Sequence, residues 1–174
     1  TSSGKTTLAN ALLAEIAATG DRVLVLEDTI ELQCAARDHV PLRTRAGIVS
    51  MTELVRATMR LRPDRVIVGE VRGGEALDLV KVWGTGHPGG IATIHAGSAL
   101  GALLRLEQLI LEVVVNPPRA LIAEAVNVVI HIAGRGRKRR VESIARVVGF
   151  DGTGYRLADA LETPFPELMP VPLS

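Results

Sequence analysis

Aromatic side chains are scarce: Phe150, Phe165, Tyr155 and Trp83 make up 2% of the chain. Proteins that bind single-stranded nucleic acid stack successive bases on aromatic platforms, so this scarcity counts against direct nucleic-acid recognition. The one cysteine, Cys34, excludes an intrachain disulfide and any cysteine-rich metal site, which fits a reducing cytosol. Neither sign of charge dominates, because 20 Lys and Arg stand against 19 Asp and Glu for a formal net charge of +1. No bulk field therefore draws in nucleic acid or an anionic membrane. Long hydrophobic runs are missing too. The stretch from Leu109 to Val115 is broken by Glu112 and halted by Asn116-Pro117-Pro118, well short of the roughly 20 residues that span a bilayer. What remains is ample core material: with 47% hydrophobic residues in 174, one globular domain is expected.

The N-terminal residues carry the strongest local signal. Thr1-Ser2-Ser3-Gly4-Lys5-Thr6-Thr7 reads as the back half of G-x-x-x-x-G-K-[ST], running straight into the helical pattern Leu8 to Ile16. Backbone N–H groups around Gly4 can wrap a nucleotide's β-phosphate with the positive end of the helix dipole behind them. Lys5 adds a mobile cation for the β and γ phosphates, and the Thr6 hydroxyl can sit on Mg²⁺. Ser2, Ser3, Gly4, Lys5, Thr6 and Thr7 are thus the nucleotide-binding candidates, with ATP and Mg²⁺ as the implied ligands. The motif's first glycine would precede Thr1, so the expectation is a chain truncated within the motif, its first strand missing.

Helix and strand signals then alternate. Leu8, Leu12 and Ile16 recur at helical spacing, with Gly20 as a C-terminal cap. Val23 to Leu26 is a continuous apolar run suited to a strand buried on both faces. Residues 33–49, with Pro41 and Gly47, read as a long loop or an edge strand. Ser50 and Glu53 form a capping-box signature for a helix through Leu61, stopped by Pro63. Residues 64–70 form a second buried strand, Glu75 to Trp83 a helix, 84–90 a loop and 91–95 a third strand. Ser98 caps a further helix, and Pro117-Pro118 opens another. From Val126 the pattern alternates with period two through the turns at Gly134 and Asp151-Gly152, predicting an antiparallel hairpin continued by Tyr155-Arg156-Leu157. The fold class is therefore α/β, with a largely parallel sheet and a C-terminal antiparallel hairpin. Prolines 164, 166, 170 and 172 predict an extended or disordered tail over 163–174.

In such sheets ligands sit at the carboxyl ends of the strands. Glu27, Asp28 and Glu31 follow the first apolar strand, Glu70 the second and His95 the third, so the spacing assembles one site from four segments. Glu70 is placed to hold Mg²⁺ directly or through water; its bland alternative is a solvated strand-end carboxylate. Three acids within five residues repel one another unless a metal or cations such as Arg43, Arg45 or Arg72 compensate, and one of them could polarise the attacking water. His95 either reports the γ-phosphate by hydrogen bonding or is a structural histidine. His39 and His131 have no partner evident in the sequence. The run Arg135-Gly136-Arg137-Lys138-Arg139-Arg140 is a charged hairpin tip, solvated or touching acidic headgroups or a partner subunit, with no specific role assigned.

Four blocks in order and spacing resemble those of the ATPases of type IV secretion, type II secretion and type IV pili. They are the Walker A remnant Thr1 to Thr7, an aspartate box Leu26 to Glu31, the Walker B block Arg60 to Gly73 and a histidine box Gly89 to Ala96. Residues 70–78 and Trp83-Gly84-Thr85-Gly86-His87 look most like TrbB-type conjugal transfer ATPases. The resemblance implies a RecA-like P-loop motor domain over residues 1–162 that works as a ring, usually a homo-hexamer. It further implies ATP hydrolysis coupled to pilus assembly and substrate transfer by inner-membrane conjugation machinery, from a cytoplasmic, peripheral position. Carried over by motif, Lys5 and Thr6 bind phosphate and Mg²⁺, Glu31 is the base for the attacking water, Glu70 holds Mg²⁺, His95 senses the γ-phosphate and Glu27 supports the acidic cluster. The alternatives are a pilus or type II secretion motor and, from other classes, a nucleic-acid motor or a catalytically inactive interaction module.

Overall fold

The apolar run Val23 to Leu26 becomes the strand around which everything else is layered. The computed structural model describes residues 3–162; Ser2 among the phosphate candidates, and the expected tail 163–174, lie outside the described residues. The elements follow in the order α1 (Lys5–Ile16), β1 (Val23–Glu27), β2 (His39–Arg43), α2 (Met51–Thr58), β3 (Arg65–Val68), α3 (Glu75–Gly84) and β4 (Ile91–Ala92). After these come α4 (Ala99–Ile110), α5 (Arg119–Ala125), β5 (Val128–Ala133), β6 (Arg140–Phe150) and β7 (Tyr155–Asp159). The first four strands form a parallel sheet in the order β2-β1-β3-β4, and the last three an antiparallel sheet in the order β5-β6-β7. Both match the expected class.

Every residue of β1 is buried, as a strand covered on both faces requires. Its side chains alternate between two cores. Leu24 and Leu26 pack with Val66 and Val68 against α2, α3 and α4, whereas Val23, Val25 and Ile67 pack against Ala9, Leu13 and Ile16 of α1. The doubtful segment 33–49 supplies the edge strand β2, whose burial alternates and which carries Pro41. An edge tolerates proline because one side of the strand needs no ladder donor.

Local signals set several boundaries. The capping box forms as read: Ser50 Oγ accepts from Glu53 N at 3.3 Å, and Glu53 Oε2 accepts from Ser50 N at 2.7 Å. Those Ser50 donors hold the Glu53 carboxyl below its ordinary pKa. The folded state thus favours the ionised form, so the cap contributes fully above the ordinary value and loses this contribution as pH falls through the lowered one. Ser98 Oγ caps α4 by accepting from Gly101 N at 3.0 Å. Asp151 Oδ1 accepts from the amides of Thr153 and Gly154, both at 2.9 Å, and closes the β6–β7 turn.

Three expectations need correction. The buried stripe of α1 is Ala9, Leu13 and Ile16 rather than Leu8, Leu12 and Ile16; Leu8 and Leu12 instead line an apolar cavity of about 570 Å³ between α1, β4 and β5. The cap of α1 is Ala17, ahead of Gly20, because Thr19 Oγ1 donates to Ile16 O at 2.8 Å and tightens the last turn. Helix α2 stops at Thr58, short of Leu61, where the Thr58 hydroxyl donates to Val55 O at 2.6 Å. Arg62 then takes a left-handed φ of 52° to turn the chain into β3.

Leu103 is fully buried against the main core, while Leu104, one residue on, is 46% exposed. Leu103→Ala is expected to lower unfolding stability by about 2–5 kcal/mol and Leu104→Ala by no more than about 0.5 kcal/mol. Urea midpoints with unchanged slopes check both.

Candidate functional site

Parallel register places the carboxyl ends of the central strands side by side. Leu26 stands opposite Val68, and Val68 opposite Ala92; Glu27, Glu70 and His95 therefore emerge along one edge. Beyond the two paired residues of β4, shorter than the expected strand through His95, the chain is held by two other bonds. Val71 N donates to Thr93 O at 2.9 Å, and Thr93 Oγ1 donates to Gly69 O at 2.6 Å.

Helix α1 begins at the same edge. Gly4 adopts φ 93° immediately before it, a left-handed conformation that side chains disfavour, and amides in such a turn at a helix start can receive an anion. Ser3, Gly4, Lys5, Thr6 and Thr7 all line a polar cavity of about 290 Å³ that they share with Glu27, Glu31, Glu70 and His95. The structure thus brings together every described residue predicted for the site.

Their contacts differ from one another. Glu27 is buried, and its Oε1 accepts from Glu31 N at 2.9 Å and Leu32 N at 2.7 Å. Its carboxylate is consumed in folding the loop after β1. That fold presents the exposed Glu31, whose Oε2 accepts from Thr6 Oγ1 at 3.0 Å. Lys5 Nζ lies 3.3 Å from His95 Nδ1, and His95 Nε2 lies 2.8 Å from Glu70 Oε1. An ammonium only donates, so Nδ1 accepts and the ring proton belongs at Nε2, facing Glu70. Arg72 holds the other oxygen of Glu70, with Nε at 2.8 Å and Nη2 also bonded, and its Nη1 reaches Asp28 at 3.5 Å. The Glu70 hydrogen bond and charge raise the Arg72 pKa above its ordinary value. Of the three cations considered for the acidic cluster, Arg72 is the one the structure pairs with it.

Several supporting residues are absent from the sequence-based expectations. Asn10, in mid-helix, donates from Nδ2 to Glu31 O at 3.2 Å and accepts at Oδ1 from Gln33 N at 2.9 Å, tying the acidic loop to α1. An asparagine inside a helix is itself a cue, since it favours caps and turns unless given such work. The buried Glu75 accepts from the amides of Arg72 at 2.7 Å and Gly73 at 3.0 Å, shaping the loop that carries Arg72. His39 and His131, partnerless in the sequence, lie against Ala36 O at 2.9 Å and Glu142 Oε2 at 3.2 Å respectively, away from the site.

The donor set fits a hard cation held jointly with phosphate. Glu70 Oε1 is buried beside His95 Nε2 at 2.8 Å, and a carboxylate oxygen facing one donor keeps a lone pair that a metal or its water would satisfy. The Thr6 hydroxyl, while donating to Glu31, keeps lone pairs for a ligand. Among the described residues no three His, Cys, Asp or Glu gather closely enough to hold an ion alone. Mg²⁺ commonly takes one or two protein oxygens and completes its shell with phosphate and water.

The family described as Type II/IV secretion system protein matches residues 1–145. The chain is 52% identical over 158 residues to the conjugal transfer protein TrbB of Rhizobium radiobacter, covering 90% of this chain and 49% of that protein. It is 40% identical over 160 residues to the type IV secretion system protein PtlH of Bordetella pertussis, covering 83% and 47%. The crystal structure of the VirB11 ATPase from the Brucella suis type IV secretion system superposes with a TM-score of 0.71 at 33% identity, over 91% of this chain and 45% of that one. The chain spans about half the length of the relatives it matches.

Replacing Glu27 with Ala leaves two loop amides, that of Leu32 buried, without an acceptor. The expected cost is about 1–3 kcal/mol, and amide exchange at Leu32 should quicken while exchange in α4 moves no more than global stability requires.

Proposed function

Because the chain belongs to the Type II/IV secretion system protein family, we propose that it is the motor domain of an ATPase that powers conjugative type IV secretion, hydrolysing ATP at the edge of its parallel sheet. The observation that carries this reading is the meeting of Lys5, Thr6, Glu31, Glu70 and His95 in one polar cavity at the start of α1. Ser3 to Thr7 bind the phosphates through backbone amides, Lys5 and the helix dipole. Glu70 and Thr6 would hold Mg²⁺, which when bound neutralises charge on the transferring phosphoryl group. Glu31 accepts the proton of the attacking water, and His95 follows the state of the γ-phosphate through its contact with Lys5. Glu27 acts through Glu31 as a positioning residue.

Water attacks the γ-phosphorus, the bond to the β–γ bridging oxygen breaks, and ADP and inorganic phosphate leave. The preorganised cations and amides stabilise the charge of that transition state without reorganising. The two relatives described above are a conjugal transfer and a type IV secretion protein, which favours that context over a pilus motor. A homo-oligomeric ring, hexameric in its working form, and peripheral attachment to inner-membrane secretion machinery from the cytoplasm belong to the same proposal. Among the described residues no helix is long and apolar enough to cross a membrane.

In the full-length protein, Lys5→Ala is expected to abolish phosphate release from ATP; turnover that survives it contradicts the site. Glu31→Gln is expected to lower kcat by about 10²–10⁴-fold, the usual scale for a lost general base, while nucleotide still binds. Single-turnover phosphate release and equilibrium binding of a fluorescent ATP analogue separate the two effects.

A further inference from the structure

The basic tip between β5 and β6 has one member that behaves unlike the rest. The tip is tightly built: Gly134 takes φ 85°, and a side chain there would run into the Lys138 carbonyl. Residues Gly136–Lys138 wind into a single 3₁₀ turn. Arg140 is paired with Glu142 at 3.0 Å, and the other oxygen of Glu142 faces His131. Arg139 has no ion pair or side-chain hydrogen bond among the described residues. Its side chain instead crosses to the start of α1, where Cδ and Nη1 lie 3.5 and 3.7 Å from the position a Cβ on Gly4 would occupy. It lines the polar cavity with Lys5 and Arg72.

Of the three cations in that cavity, Arg72 is neutralised by Glu70 and Asp28, and Lys5 faces His95. Arg139 alone is uncommitted, and it lies over the glycine whose amides form the anion cradle. A guanidinium offers paired donors that match phosphate oxygens. We propose that Arg139 is a nucleotide-binding residue, contributed by the tip of the β5–β6 hairpin, that contacts the β-phosphate beside Gly4. The inference rests on the phosphate-site reading above and extends it to a residue 135 positions beyond Gly4 in the sequence. Contact at the β-phosphate means that ATP and ADP are recognised alike and AMP is not. It also means that the hairpin is drawn onto the nucleotide when either is bound.

The test is equilibrium binding of ATP, ADP and AMP to the full-length protein by calorimetry, for the wild type and for Arg139→Ala, Arg137→Ala and Lys5→Ala. Arg137 sits in the same tip but does not line the cavity, so it controls for charge and for the fold of the hairpin. Arg139→Ala is expected to weaken ATP and ADP each about tenfold, the scale of a charge-assisted hydrogen bond, leaving AMP unchanged; Arg137→Ala is expected to change none. Wild-type affinity in Arg139→Ala, a loss confined to ATP, or equal losses in Arg139→Ala and Arg137→Ala would each overturn the assignment. If Lys5→Ala binds ATP like the wild type, the phosphate-site reading itself fails and the role of Arg139 with it. If Lys5→Ala loses ATP while Arg139→Ala does not, only the role of Arg139 fails.

Discussion

The site depends on one buried carboxylate. Glu27 ends the central strand 5% exposed, and a polar group so buried must find donors or destabilise the fold. It finds them in the amides of Glu31 and Leu32, and taking both folds the following loop back over the sheet edge. That turn sets Glu31 against Thr6 and Leu32 into the core beside α1. The same loop is fastened from the other side by Asn10. An acid that would repel its neighbours in an open loop is thereby converted into the device that aligns them.

Around this anchor the charges are arranged in a chain: Lys5 to His95, His95 to Glu70, Glu70 to Arg72, Arg72 to Asp28, and Asp28 to Thr44 at 2.8 Å. All but the Glu70–Arg72 link join different segments, so these contacts run without a break from the start of α1 to the residue after β2. The helices behind it are packed on two fully formed cores, which keeps the edge fixed while its side chains adjust.

Much of this was legible because it is local. The capping box at Ser50 and Glu53, the glycine before Lys5 and the acids and histidine after apolar strands each follow from a few adjacent residues, and register then does the assembly. What escaped depends on tertiary context. Leucines lie on more than one side of α1, so periodicity alone does not say whether Leu12 or Leu13 faces the sheet. Past β4 the chain is held in part by the Thr93 hydroxyl on Gly69 O, an interaction with no sequence signature. Asn10 and Arg139 each reach a distant segment, and nothing in their own neighbourhoods announces where a side chain of that length will land.

The central claim is that the amides before α1 and the carboxylates at the sheet edge form a single site for a magnesium-bound nucleoside triphosphate. A crystal structure of the full-length protein with Mg²⁺ and a non-hydrolysable ATP analogue tests it most directly. The account predicts the β-phosphate within hydrogen-bond distance of the amides of Gly4 to Thr6, and the metal beside Thr6 Oγ1 with Glu70 reaching it directly or through water. Phosphates bound elsewhere, or a metal remote from Glu70, would contradict it.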